Sequence, residues 1–279
     1  MVRGCQNSHG FTLVELVVTI VIVGILTALG GQFISRPTEG YLDLERRAEL
    51  VDQAEMALRR MQRDIRAALP NSVRRFDGNR GLELLHVVDG GRYRRALGDG
   101  TEDILDFTAQ DDSFEVLGGL RHAQDAVVYD VVIYNLSATA AINNNAYRDD
   151  DEEEGDWNNR TQGTYDPDTV VMTLNPAEPF PLPSPTQRFF LVDEAISYHL
   201  EEGQLKRYAY HGDDIDNDPG PPPAATTIGV LVAQHVESLV FHYDAGTPSR
   251  AGLVTIELVL EEQGERIRLL HQVHVDNAP

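Results

Sequence analysis

An acidic run in the second half of the chain has the clearest potential to bind a metal. Asp214, Asp216 and Asp218 occupy alternate positions, as the acids that open a calcium loop do, because a hard cation needs several converging oxygens. The glycine and the downstream glutamate of an EF-hand loop are missing, and Pro219 and Gly220 follow instead. The run therefore predicts a calcium site, and a solvated acidic turn is the alternative that the missing ligands favour.

Glu15 is the second residue with potential chemistry, because it is the one charge in an apolar stretch. Residues 11–34 read FTLVELVVTIVIVGILTALGGQFI and would form a helix roughly 36 Å long, enough to cross a hydrocarbon core. An acid inside a membrane helix is by default a functional residue, and one that only reaches water near the membrane surface is the alternative. The sequence predicts a transmembrane helix over residues 11–36, with Glu15 as its candidate functional residue.

Catalytic motifs do not compete with this interpretation. The sequence has no Gly-rich phosphate loop, no His-Glu-x-x-His and no Gly-x-Ser-x-Gly, so we predict a non-enzymatic protein without a cofactor, calcium excepted. The formal net charge of −22 argues against a nucleic-acid partner, since phosphate backbones attract basic proteins. The single cysteine, Cys5, excludes a disulfide framework within the chain.

The start of the apolar stretch carries a specific motif. Residues 10–15 read GFTLVE and follow the polar stretch MVRGCQNSH, whereas a secretory signal peptide has its small-residue cleavage site after the apolar run. The motif resembles the processing signature of type IV prepilins and type II secretion pseudopilins. The resemblance implies a leader over residues 1–10, cleavage by a prepilin peptidase after Gly10 and methylation of the new amino terminus at Phe11. It also implies that Glu15 pairs with the amino terminus of a neighbouring subunit.

Residues 37–69 are predicted to form an amphipathic extension of the helix. Leu44, Val51, Leu58 and Ile65 recur at heptad spacing, with arginines on the opposite side. One apolar stripe of this kind suits a helix packed on a sheet better than a coiled-coil seam. Pro70 disfavours helical geometry in the residue before it, so the helix is predicted to end at residue 69.

Residues 70–279 are predicted to form a β-rich head, because β-branched and aromatic runs alternate with turn residues. Strands are expected over residues 82–88, 104–108, 126–135, 170–174, 188–192 and 236–243. Hairpins are expected between residues 195–200 and 204–210, and between residues 252–261 and 266–275. Loops are expected over residues 143–163, 175–185 and 211–225, the first of them solvated by repulsion between its acids. The predicted fold class is α+β and pilin-like, with a long N-terminal helix packed on an antiparallel sheet.

Three further segments narrow the resemblance. ALPNSVR, FFLVDEAISYHLEEGQLKRYAY and the closing RIRLLHQVHVDNAP resemble minor pilins of mannose-sensitive haemagglutinin (MSHA) pili, which implies a subunit that primes or caps a type IV pilus. The implied partners are the major pilin and other minor pilins, prepilin peptidase, the inner-membrane assembly platform and the membrane. The implied location is the inner membrane, single-pass with the head in the periplasm, or the pilus tip. A minor pseudopilin of type II secretion and a tip adhesin or ligand-binding subunit are the alternatives.

The motif makes a prediction about the mature protein. We expect protein purified from membranes of cells with active prepilin peptidase to begin at Phe11 and to carry one methyl group on its amino terminus. Intact-mass analysis measures both properties at once. A chain that begins at Met1, or one cut after Ala28 or Gly31, would contradict the assignment.

Overall fold

The protein is described here by a computed structural model. It covers residues 10–98, 100, 103–139, 144–147, 159–175, 177, 179–211, 215, 218–221, 227–247 and 250–279, except the side chains of residues 29–39. The chain divides into two compact units, Met1–Glu49 and Leu50–Pro279. A long helix is followed by a head of antiparallel strands, so the predicted α+β fold class is confirmed.

The elements of the described residues are one α-helix, one short 3-10 helix and twelve strands. In chain order they are α1 (Leu13–Arg66), β1 (Arg74–Phe76), the 3-10 helix Asp77–Asn79, β2 (Gly81–Tyr93), β3 (Ser113–Leu117), β4 (Val128–Val132), β5 (Arg160–Asp166), β6 (Val171–Leu174), β7 (Arg188–Glu201), β8 (Gln204–Tyr210), β9 (Val230–Ala233), β10 (Val236–Asp244), β11 (Gly252–Glu262) and β12 (Glu265–Val275).

The part of α1 that belongs to the second unit buries one face. The buried side chains recur every three or four residues, as expected for a helix that packs by a single stripe: Leu50, Ala54, Ala57, Leu58, Met61 and Ile65. They share a hydrophobic core with apolar side chains of β2, β7, β8 and β10–β12. The predicted packing of the stripe on a sheet is confirmed for Leu58 and Ile65, and for the partly buried Val51. It is wrong for Leu44, which is 69% exposed.

Helix α1 ends at Arg66, three residues before the predicted end. The residues that follow leave the helix because their backbone groups bind β2. Leu69 N–H donates to the Leu85 carbonyl at 2.8 Å, and Val87 N–H donates to the Ala67 carbonyl at 2.8 Å. Pairing with the sheet thus replaces the last predicted turn of the helix.

The strands form two antiparallel sheets. The larger has the order β1-β2-β3-β6-β5-β4-β7-β8-β9, and β2 pairs with β7 as well. The pairings of β2, β3, β6, β5, β4 and β7 consequently close into a ring around an aromatic core that includes Tyr93, Phe114 and Phe189. The smaller sheet has the order β10-β11-β12. Strands β2 and β7 contribute side chains both to the core that packs against α1 and to the core inside the ring. These two strands therefore connect the two cores of the head.

Both predicted hairpins are confirmed, and their turns explain why. Glu202 and Gly203 between β7 and β8 have φ of 48° and 75°, and Gln263 and Gly264 between β11 and β12 have φ of 49° and 89°. Two central residues with positive φ are typical of type I′ turns, whose twist matches that of the flanking strands. The two turns therefore fix the register of both hairpins.

Some predicted elements are wrong. The strand expected over residues 104–108 is irregular, because the Asp106 carboxylate accepts hydrogen bonds from the N–H (2.7 Å) and hydroxyl (2.6 Å) of Thr108 and forms a local turn. The loop expected over residues 143–163 is wrong at its end, where β5 begins at Arg160. The separate strands expected over residues 188–192 and 195–200 are one strand, β7. Three further short strands, β1, β3 and β9, were not predicted.

A buried ion pair connects β1 to β2. Arg74 Nε and Nη2 donate to the two carboxylate oxygens of Glu83 at 3.0 and 2.9 Å, and these side chains are only 7% and 1% exposed. The guanidinium lies 3.6 Å from the centre of the Tyr147 ring, and Gly220 N–H donates to Glu83 at 2.7 Å. Burial raises the pKa of the Glu83 carboxyl, while Arg74 opposes this rise. The pair thus holds two charges that water does not solvate.

Removing either Arg74 or Glu83 should lower the stability of the folded protein. We expect Arg74→Met to lower the free energy of unfolding by about 3–5 kcal/mol, because it leaves a buried carboxylate without its cation. Urea unfolding of the full chain measures the loss. Arg80→Met is the matched control: Arg80 pairs with Asp77 at 2.9 Å on the surface, so its loss should cost less than about 1 kcal/mol. Equal costs for the two variants would contradict the expectation.

Candidate processing and assembly site

The predicted cleavage point lies just outside the helix, in open space. Gly10 and Phe11 precede the first helical residue, Leu13, and both are exposed. Among the described residues, a Cβ built on Gly10 would meet no atom within 4 Å. The described part of the fold therefore gives no reason for glycine at position 10, and a requirement for it would arise in the site of a processing enzyme.

Thr12 caps the amino terminus of α1. Its Oγ1 accepts a hydrogen bond from the Glu15 N–H at 3.3 Å and donates to Glu15 Oε2 at 3.4 Å. The first intrahelical bond of this turn runs from Leu16 N–H to the Thr12 carbonyl at 3.1 Å. Thr12 and Glu15 thus occupy the two positions of a capping box, although here the hydroxyl makes both side-chain bonds.

The cap gives Glu15 a role within its own chain. A carboxylate in the first turn of a helix interacts favourably with the partial positive charge of the exposed N–H groups, and Glu15 is the acid of that turn. We did not predict this role, although the spacing Thr-x-x-Glu in residues 12–15 is the sequence signature of a capping box. A test of Glu15 in assembly therefore has to separate its charge from its contribution to the cap.

The helix after Glu15 exposes apolar side chains on every side. Leu13, Val17, Ile20, Val23 and Leu26 are between 51% and 78% exposed. An apolar surface of this extent marks an interaction with protein or lipid.

Even the hydroxyls in this part of the helix are satisfied within it. Thr19 donates to the Leu16 carbonyl at 2.9 Å, and Thr27 donates to the Val23 carbonyl at 2.7 Å. Considering the described residues alone, no helix meets the length and hydropathy required of a membrane span.

Residues 5–30 match the family model described as the prokaryotic N-terminal methylation motif. The chain carries this prepilin-type motif. The motif indicates a type IV pilin-like or pseudopilin subunit that is structural and interacts with other pilins and with a prepilin peptidase. No curated protein and no solved structure matches the chain.

The predicted calcium run lies largely outside the described residues, which include Asp218 but neither Asp214 nor Asp216. The backbone carbonyl of Asp218 accepts a hydrogen bond from Arg74 Nη2 at 3.3 Å, so a cation already lies beside this end of the run. Elsewhere in the described part of the chain, no cluster of three or more His, Cys, Asp or Glu could hold a metal ion. Calcium binding at the run stays a prediction.

Calcium binding can be tested by thermal unfolding. If Asp214, Asp216 and Asp218 bind the ion in the folded state, calcium must raise the melting temperature of the protein by mass action. Calorimetry of the full chain in millimolar calcium and in chelator measures the difference. Equal midpoints would remove the site, as would a rise that persists after all three aspartates are changed to asparagine.

Proposed function

We propose that this chain is a minor pilin of the MSHA type that primes or caps assembly of a type IV pilus after its leader is cut between Gly10 and Phe11. The observation that carries the proposal is the N-terminal methylation motif over residues 5–30. The apolar helix surface that follows the motif, and the β-rich head beyond it, support the same conclusion. The finer likeness to the minor pilin MshO rests on the three segments of the head quoted above.

The proposed mechanism of assembly depends on charge. Cleavage creates an amine at Phe11, and methylation leaves that amine positively charged. Glu15 is an anion that has only the Thr12 hydroxyl and the helix terminus as polar partners among the described residues. Pairing of Glu15 with the amine of a neighbouring subunit would neutralise both charges and align the two helices.

The proposed location follows from the same features. The helix over residues 11–36 anchors the protein once in the inner membrane, and the head lies in the periplasm until the subunit is extracted into the fibre. In the fibre, the subunit contacts the major pilin and other minor pilins. The inner-membrane assembly platform inserts the subunit into the fibre. A tip position would place the head at the cell surface.

Two alternatives share this architecture. A minor pseudopilin of type II secretion would carry the same motif, and the identity of the neighbouring genes distinguishes it. A tip adhesin or ligand-binding subunit would use the acidic and proline-rich loops predicted over residues 143–163 and 211–225 to bind a surface or calcium. Deletion of these segments would then abolish adhesion while assembly continues.

The proposal predicts that the negative charge of Glu15 is required for assembly. We expect Glu15→Val and Glu15→Gln both to impair association with partner pilins, although glutamine can still hydrogen-bond to Thr12. Thr12→Val removes the cap hydroxyl but keeps the charge, so it should associate nearly as wild type does. Crosslinking and co-purification with partner pilins, at equal membrane levels of each variant, measure association.

The three variants separate the two roles of Glu15. Normal piliation with Glu15→Gln would mean that the charge has no part in assembly. A defect in Thr12→Val as large as that in Glu15→Val would assign the effect to the helix cap instead.

A further inference from the structure

Two arginines stand opposite each other on neighbouring strands of the ring. Arg92 of β2 and Arg188 of β7 are paired in the antiparallel register, so their side chains lie on the same face of the sheet. Like charges placed directly opposite on neighbouring strands destabilise a sheet. This arrangement therefore costs stability unless an anion lies between the two guanidinium groups.

Neither arginine has a carboxylate partner in the part of the chain that the structure describes. Many other arginines of the head do have one: Arg74, Arg80, Arg94, Arg207, Arg250, Arg266 and Arg268. The chain has 45 acidic residues against 23 Lys and Arg, so acids to neutralise this pair are abundant. Glu115 of the neighbouring strand β3 is already bound to Arg94 at 2.8 Å, so Arg92 and Arg188 face each other without an acid of their own among the described residues.

The two arginines line a cavity of about 330 Å³, together with residues of β3 and β7 that include Leu117 and Phe190. Gly90 pairs with Phe190 across the strands. A Cβ at Gly90 would lie 3.2 Å from Cδ1 of the Phe190 ring, so a larger side chain would fill the space beside the ring. Glycine at this position keeps the cavity open.

The loop at the edge of the cavity is held in place. Gly119 lines the cavity with φ of 69°, a conformation that favours glycine. The next residue, Leu120, donates its N–H to the Tyr165 hydroxyl at 3.2 Å. Asp89 accepts the N–H groups of Arg121 and His122 at 2.7 and 2.5 Å. The wall is thus formed before any ligand arrives, as is usual for small-ligand sites.

Asp89, the acid of β2 that is nearest to Arg92 in the sequence, does not neutralise Arg92 and Arg188. It is three residues from Arg92 and therefore lies on the opposite face of the strand. Its carboxylate is occupied by backbone N–H groups, including that of Gly90 at 2.8 Å. The cavity face thus keeps its two positive charges.

We propose that Arg92 and Arg188 form a binding site for a divalent tetrahedral oxyanion, the phosphate monoester group of a ligand. Each guanidinium offers parallel N–H donors that match two oxygens of such a group. Two positive charges balance its two negative charges, and binding removes the repulsion across the strands. The site is independent of the assembly function proposed above.

Anion binding can be measured on the full chain in an uncharged detergent. Sodium phosphate and sodium sulfate are each compared with sodium chloride at matched ionic strength, by calorimetric titration and by the melting temperature. We expect both divalent anions to bind and to raise the melting temperature. Sulfate serves only as a second divalent tetrahedral probe, because a sulfate ester would carry a single negative charge.

Variants identify the site. Arg92→Gln and Arg188→Gln should each weaken binding roughly tenfold or more, because each removes hydrogen bonds from a charged donor. Arg75→Gln is the matched control: it removes an equal charge from exposed Arg75, which pairs near Leu82, roughly 33 Å along β2 from Arg92. This control should bind as wild type does.

Arg188→Glu provides a second measurement that does not depend on loss of stability. Glutamate opposite Arg92 should raise the melting temperature without added anion, since opposite charges stabilise a cross-strand pair, and it should abolish the rise caused by phosphate or sulfate. The proposal is overturned if neither anion raises the melting temperature of the wild type. It is equally overturned if the rise is the same in wild type, Arg92→Gln and Arg188→Gln.

Discussion

A charge that is removed from water has to be paired, and this constraint organises the head. Arg74 and Glu83 are almost fully buried and bind each other through two hydrogen bonds. Leaving either alone would cost several kcal/mol, of order 3–5. Gly220 N–H donates to Glu83, Arg74 donates to the Asp218 carbonyl, and the Tyr147 ring packs against the guanidinium. These residues come from distant parts of the sequence.

The described residues that flank two acidic stretches of the sequence lie at or beside the same buried cluster. Tyr147 immediately precedes residues 148–158, and Asp218 immediately follows residues 216–217. Arg160, at the start of β5, donates through Nη2 to the Ile215 carbonyl at 3.4 Å. Both acidic segments therefore begin or end at one buried cluster.

Local sequence was sufficient for several features that short-range chemistry decides. The stripe of α1, the turns at Gly203 and Gly264, and the motif at residues 10–15 all depend on neighbours within a few positions. The helix cap formed by Thr12 also depends on near neighbours, and its Thr-x-x-Glu spacing is present in residues 12–15. The prediction of a strand over residues 104–108 was wrong for a local reason. The side chain of Asp106 binds a backbone N–H group that a strand would use for pairing.

The pairing of strands that are far apart in the sequence could not be predicted in the same way. The pairing of β2 with β7 joins residues about a hundred positions apart, and only that pairing places Arg92 beside Arg188. The contact of Arg74 with Tyr147 likewise joins residues 73 positions apart in the sequence. No periodicity in a single sequence encodes such distances, so sites built from these contacts had to be found in the structure.

The uniform surface of the first part of α1 has a consequence for rotation about the helix axis. Ile20, Val21 and Leu26 lie on different sides of the helix, yet all are more than half exposed and apolar. A helix without a distinct seam loses little contact area when it turns against its neighbours. The hydroxyls of Thr19 and Thr27 do not fix the rotation of the helix about its axis either, since they bind backbone carbonyls of their own helix. If the helix packs among others as proposed, its rotational setting would have to come from its polar amino-terminal end, where Thr12 and Glu15 mark a single direction.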